Sequence, residues 1–164
     1  MRDIEQLYQL YHKQLFAYLY YLCAGDSLLA EELLQETFYQ AILSSVRFRG
    51  DSKVSTWLYQ IAKFTYSNHR RQQVPADRAS PLLEPVARET PESLYLGAES
   101  WERWLKVMQK LPGSYKDVLV LRAVNGLGFA EVGAIMGQSE NWAKVTFYRA
   151  KTKMQKLLKG GEGD

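Results

Sequence analysis

The chain is short of the residues that most often do chemistry. Among its 164 residues are one cysteine, Cys23, and two histidines, His12 and His69. A lone cysteine excludes an intrachain disulfide, and its place in an apolar helical pattern predicts a small buried hydrophobe in a reducing cytosol. No His or Cys stands at ligand spacing beside the carboxylates, so no metal site is expected. There is no phosphate-cradling glycine loop and no nucleophile with a positioned base, which leaves no catalytic constellation. No apolar run reaches the roughly 18 residues that span a bilayer. The opening MRDIEQLYQL is acidic and amphipathic where a signal peptide is basic and then apolar, which predicts a cytoplasmic protein.

What is present is apolar material and unevenly spread charge. Hydrophobic residues make up 46% of the chain, enough to fill a core. Counted along the sequence, the net charge of +3 is −4 over residues 1–46, +5 over 47–71, −3 over 72–104, +2 over 105–137, +5 over 138–159 and −2 over 160–164. Two basic blocks divided by an acidic connector suggest two contacts with a polyanion. Four of the five prolines, Pro75, Pro81, Pro85 and Pro91, fall within 73–97, where helical periodicity also stops. That stretch reads as a linker, about 80 Å long if extended and averaging about 28 Å as a coil. The expected architecture is all-α: a helical domain over 1–72, the linker 73–97, a four-helix domain with a helix-turn-helix over 98–159, and a tail 160–164.

The first domain reads as three helices. Residues 3–24 place Leu7, Leu10, Tyr11, Leu15, Tyr18, Leu19 and Leu22 on one face, with Gly25 as the stop. Asp26 and Ser27 start a second helix to about 45, with Ala30, Leu33, Leu34, Thr37, Phe38, Ala41 and Ile42 inside. Its other side carries Glu31, Glu32, Gln35 and Glu36, either a solvated acidic face or a dock for a basic partner. A turn through Phe48, Arg49, Gly50 and Lys53 leads to a third helix over 54–72, with Val54, Trp57, Leu58, Ile61, Ala62 and Thr65 inward. Its flanks interleave cations with rings: Lys53, Tyr59, Lys63, Phe64, Tyr66, His69, Arg70 and Arg71. An unstacked nucleic-acid strand needs that mixture, cations for phosphate and ring faces for bases, the latter worth roughly 1–3 kcal/mol each.

In the second domain, Trp101, Trp104, Leu105, Met108 and Leu111 form one helix broken at Pro112-Gly113, and Val118, Leu119, Leu121 and Val124 form another, over about 114–124. Phe129, Val132, Ile135 and Met136 then make a short helix, Gly137 ends it, and Ser139 caps the last helix. Ala143, Phe147, Ala150, Met154 and Leu157 lie on one side of that last helix. Six Lys or Arg against one Glu over 138–159 make its exposed side basic. Two helices about a glycine turn, the second basic outside, describe a helix-turn-helix whose second helix enters the major groove. A regulator using only this domain on two-fold-symmetric duplex, and a nuclease built on Glu31 and Glu32, are the alternatives that the residues leave open.

Beyond pattern, the residues resemble a family. Ala30-Glu31-Glu32-Leu33-Leu34-Gln35-Glu36-Thr37-Phe38, Phe48-Arg49-Gly50 and Thr56-Trp57-Leu58-Tyr59-Gln60-Ile61-Ala62-Lys63 resemble the promoter-melting domain of bacterial sigma factors. Leu111-Pro112, Val118-Leu119-Val120-Leu121-Arg122 and Tyr148-Arg149-Ala150-Lys151 resemble their fourth-region domain. With only a linker between, the layout is that of the extracytoplasmic-function (ECF) subgroup. The resemblance implies a non-catalytic specificity subunit of RNA polymerase, without cofactor, metal or small-molecule substrate. Its implied partners are core polymerase, through the β′ clamp helices and the β flap, promoter DNA, and an anti-sigma factor. It implies docking by Glu31, Glu32, Gln35 and Glu36. It implies −10 capture by Phe48, Arg49, Lys53, Trp57, Tyr59, Lys63, Phe64, Arg70 and Arg71. It implies −35 readout by Asn141, Trp142, Lys144, Val145, Tyr148 and Arg149. The family often has Asn where Phe64 stands, a small residue at Trp142, Arg at Thr146 and Ala at Gly133.

Overall fold

Capping chemistry sets the helix ends. The computed structural model describes residues 4–45, 53–72 and 102–160, and among these every regular element is helical. The turn residues Phe48, Arg49 and Gly50, the segment 73–97, Trp101 and the tail beyond residue 160 lie outside them. The chain divides into two units, Met1–Val86 and Ala87–Asp164.

In the first unit, α1 (Ile4–Leu22), α2 (Ser27–Ser44) and α3 (Val54–Gln72) pack pairwise against one another. The end of α1 is closed by the Gly25 amide donating to the Tyr20 carbonyl at 2.9 Å. Asp26 then caps α2, its carboxylate accepting from the Leu29 amide at 3.1 Å. Leu15, Tyr18, Leu19, Ala30, Leu33, Leu34, Leu58 and Ala62 form the core. Two threonines are buried in it without an orphaned hydroxyl: Thr37 donates to the Leu33 carbonyl at 2.7 Å and Thr65 to the Ile61 carbonyl at 2.8 Å. The Tyr66 hydroxyl donates to the Leu22 carbonyl at 2.9 Å and pins the later turns of α3 to the end of α1.

Four residues depart from the positions that their spacing predicts. Leu10 is 57% exposed, because α1 is covered chiefly toward its C-terminal end, where Tyr20 and Tyr21 are buried along with Leu19 and Leu22. Ile42 is 50% exposed; it belongs to the outer stripe of α2 with Leu28 and Tyr39. Cys23 lies in the turn after α1 and is only partly buried. Tyr59 is 1% exposed, its ring set edge-on to Tyr18 with centroids 5.6 Å apart, so it is a core residue and cannot offer a face to a base.

In the second unit, α4 spans 102–108 and buries Leu105, Val107 and Met108. Arg103 donates to the Leu158 carbonyl near the far end of α7. Pro112 precedes α5 (Gly113–Leu119), which passes directly into a π-helical turn, Val120–Val124, where a plain α-helix was expected. In the widened turn the Asn125 amide donates to the Val120 carbonyl five residues back, at 3.0 Å. Arg122 closes the loop that follows: its guanidinium donates to the Leu127 carbonyl at 3.1 Å and lies 4.4 Å from the centre of the Phe129 ring.

The helix-turn-helix is α6 (Phe129–Met136) and α7 (Glu140–Gly160). Gly137 takes the left-handed conformation at φ 68°, and the Gln138 amide reaches back to the Gly133 carbonyl at 2.8 Å. Ser139 caps α7, its hydroxyl accepting from the Trp142 amide at 3.0 Å. Ala143, Ala150 and Met154 are buried as expected, and α7 packs on both α5 and α6.

Candidate nucleic-acid interface

The outward side of α7 carries the clearest surface. Asn141, Lys144, Val145, Tyr148 and Arg149 are exposed and recur at helical spacing. They line one open groove of about 910 Å³, whose opposite wall is Pro112 and Tyr115 at the start of α5. The groove holds four cations, Lys144, Arg149, Lys153 and Lys156, and no carboxylate. None of these four side chains makes a hydrogen bond or ion pair with another described residue. A strip of that charge, on a capped helix one tight turn after another, matches the phosphate-lined wall of a major groove.

Packing fixes the rings on this surface. Tyr148 is 51% exposed, yet its ring sits edge-on to Phe147 at 5.4 Å and 6.3 Å from Phe129. Because Phe129 is also held by Arg122, the π-turn, the start of α6 and the outward side of α7 form one connected cluster. Trp142, expected beside Asn141, does not line the groove; it is half-buried in the first turn. Thr146 is 6% exposed and faces inward, so the difference from the family's arginine there leaves the groove untouched.

On α3 the outward stripe runs Lys53, Trp57, Gln60, Phe64, Asn68 and Arg71, successive positions three or four apart. Phe64 is 58% exposed, and Trp57 and Lys63 are half-buried. Arg70 and Arg71 are exposed in the last turn, where cations favour the helix dipole, and the Arg70 guanidinium lies 5.9 Å from the centre of the Tyr66 ring. Gln60 and Asn68 were missed in the sequence; as polar residues without charge or ring they give no signal until the stripe is laid out. Phe48 and Arg49 lie outside the described residues.

On α2, Glu32, Gln35 and Glu36 are exposed and Glu31 is half-buried. Glu36 accepts from the Gln40 amide nitrogen at 2.9 Å. The acidic patch is bordered by exposed Leu28, Tyr39, Ile42 and Leu43, so the outer face of α2 is apolar at both ends and acidic between. Among the described residues no three His, Cys, Asp or Glu side chains stand together as a metal site would require. No described helix is long and apolar enough to cross a membrane.

Fold and surfaces together define a helical DNA-binding protein with a helix-turn-helix in its second unit. Two family models match the chain, Sigma-70 region 2 over residues 7–75 and Sigma-70, region 4 over residues 101–154. RNA polymerase sigma factor YlaC of Bacillus subtilis is 29% identical over 160 residues, covering 95% of this chain and 92% of its own. ECF RNA polymerase sigma factor SigM of the same organism is 28% identical over 162 residues, covering 98% of each chain. The solved structure of the sigma factor RpoE, in complex with the anti-sigma factor NepR from Bartonella quintana, shares the fold with a TM-score of 0.73 at 23% identity, covering 97% of this chain and 98% of that one. The chain belongs to the ECF subfamily of sigma-70 RNA polymerase sigma factors, which work with core polymerase and promoter DNA in the initiation of transcription.

Proposed function

We propose a division of labour between the two units. The outer face of α2, through Glu31, Glu32, Gln35 and Glu36, docks on a basic surface of core RNA polymerase, with Leu28, Tyr39, Ile42 and Leu43 as its apolar border. The α3 stripe of Lys53, Trp57, Phe64 and Arg71, with Lys63 and Arg70 beside it and Phe48 and Arg49 before it, captures the unstacked −10 strand. Phe64 stacks on a base while the cations hold phosphate. The groove along α7 reads the −35 element as duplex, with Lys144 and Arg149 on phosphate and Asn141, Val145 and Tyr148 toward base edges. The segment 73–97 tethers the two halves.

In this reading the protein performs no chemistry. Binding an unstacked strand more tightly than duplex shifts the promoter toward the melted state, and polymerase supplies the catalysis. An anti-sigma factor is the partner expected to hold it inactive, as the RpoE relative is found with NepR, and the working compartment is the cytoplasm.

The observation that carries the assignment is the convergence of five of the six expected −35 residues on one groove without a single carboxylate. Run-off transcription with core polymerase over a pool of promoter fragments tests it. The reading requires RNA that starts at a defined position downstream of a recoverable sequence pair; transcription that never starts at a defined point refutes it.

A further inference from the structure

The groove beside α7 does not stop at the residues assigned to −35 readout. It continues for two more turns, past Thr152, Lys153 and Lys156 to Leu157, with Tyr115 on the other wall. From Asn141 to Leu157 the helix rises about 24 Å, and only its first half, through Arg149, is occupied by the proposed readout. The second half has the same character as the first: cationic, open, and free of acid.

We propose that Lys153 and Lys156 extend the duplex contact, each holding a backbone phosphate beyond the −35 bases, so that α7 grips DNA along four turns instead of two. The inference rests on the reading of α7 as the −35 helix and adds a binding site to it. Three observations point to it. Both lysines line the same groove as Lys144 and Arg149. Both are exposed, and neither is tied by a hydrogen bond or ion pair to another described residue. The rise from Arg149 to Lys156 is about 10 Å, so the two cations reach different phosphates. A recognition helix leaving the major groove must cross a strand of the duplex, and cations on its emerging turns meet that backbone. Lysine, a flexible point charge without a planar fork, suits phosphate better than base edges.

An acidic protein segment is the competing occupant of a cationic groove with ring walls. Continuity with the −35 residues and the absence of any break in the charge along α7 favour DNA.

The test is equilibrium binding of the full chain, by fluorescence anisotropy, to a duplex carrying the promoter recovered by the reconstituted polymerase and to a scrambled duplex of equal length, from 50 to 300 mM KCl. The variants are Lys153→Ala/Lys156→Ala, Lys153→Arg/Lys156→Arg and Arg149→Ala. Losing two phosphate contacts lowers the slope of log K against log salt by about 1.8 and weakens binding roughly sixty-fold at 0.1 M salt. The loss is expected equally on both duplexes, with the arginine pair restoring it. An unchanged slope in the double alanine variant, while Arg149→Ala lowers it by about 0.9, overturns the extension and leaves −35 readout standing. An unchanged slope in all variants overturns the reading of α7 itself. Loss of polymerase binding without loss of duplex affinity in the double variant assigns the second half of the groove to a protein and overturns the proposal.

Discussion

Gly133→Ala puts the turn of the helix-turn-helix under test. On propensity alone the change should help, since alanine in a helix is favoured over glycine by about 1 kcal/mol. The surroundings argue the reverse. A methyl group at Gly133 would stand 2.7 Å from the Ser139 carbonyl oxygen and 2.8 Å from that of Gln138. Both neighbours are backbone, so no side chain can rotate away. Ser139 is also the cap of α7, its hydroxyl accepting from Trp142 and its carbonyl from the Ala143 amide at 3.1 Å. To admit the methyl, the turn must retreat by about half an ångström and take the start of α7 with it. Overpacking of this kind costs about 1–3 kcal/mol and a weakened cap about 1 more, so against the propensity gain the net effect is a loss of roughly 1–3 kcal/mol. For a unit of this size that is a fall in Tm of about 4–24 °C. Thermal unfolding followed by far-UV circular dichroism reads the fall, and hydrogen exchange locates it: the amides of Trp142 and Ala143 should lose protection first. The family often carries alanine at this place; here the turn has closed over a glycine. A Tm that rises by a few degrees would show that helix propensity governs the site and that the close approach is not rigid.

The other predictions concern the surfaces. Arg149→Ala should weaken duplex promoter binding and lower its salt slope by about 0.9 while leaving affinity for core polymerase unchanged; equal loss of both would mean that the two units do not have separate tasks. Glu32→Lys/Glu36→Lys should weaken polymerase binding roughly ten-fold or more, by replacing attraction with like-charge contact, and an unchanged Kd in a titration with core enzyme removes α2 from the docking surface. Phe64→Ala should reduce formation of the melted complex by about 5- to 150-fold, the worth of one base stack, without touching −35 duplex affinity. Permanganate footprinting of unpaired thymines is the readout, and normal melting in the variant rules out stacking.

Most of the fold was legible because its signals are local. Asp26, Gly25, Pro112, Gly137 and Ser139 mark helix ends by backbone chemistry that depends on nothing distant, and each marks an end in the structure. The buried face of α7 followed in the same way, from 3.6-residue spacing alone. The π-turn at Val120–Val124 was not legible. Nothing in Val-Leu-Arg-Ala-Val opposes an ordinary α-helix, and the widened turn is coupled to the later contacts of Arg122 with Leu127 and Phe129. A local pattern does not contain a partner five to seven residues further on.

The aromatic residues of α3 show where periodicity alone is insufficient. Tyr59 and Phe64 both sit on the flank of the apolar stripe in a helical projection, and both are rings beside cations. One is 1% exposed and the other 58%. What separates them is a residue on another helix: Tyr18 of α1 offers its ring to Tyr59, and the Gln14 side chain lies 3.5 Å from the Tyr59 hydroxyl. A helix that contacts both α1 and α2 has a wider buried arc than one contacting a single neighbour, and positions at the edge of the stripe are the ones that change side. The same reasoning explains Ile42 in the opposite sense, since the side of α2 that carries it is left uncovered. Edge positions of an amphipathic helix are therefore assigned by counting its neighbours. The residues at the centre of the outward face, such as Tyr148 on α7, are the ones whose exposure the sequence alone supports.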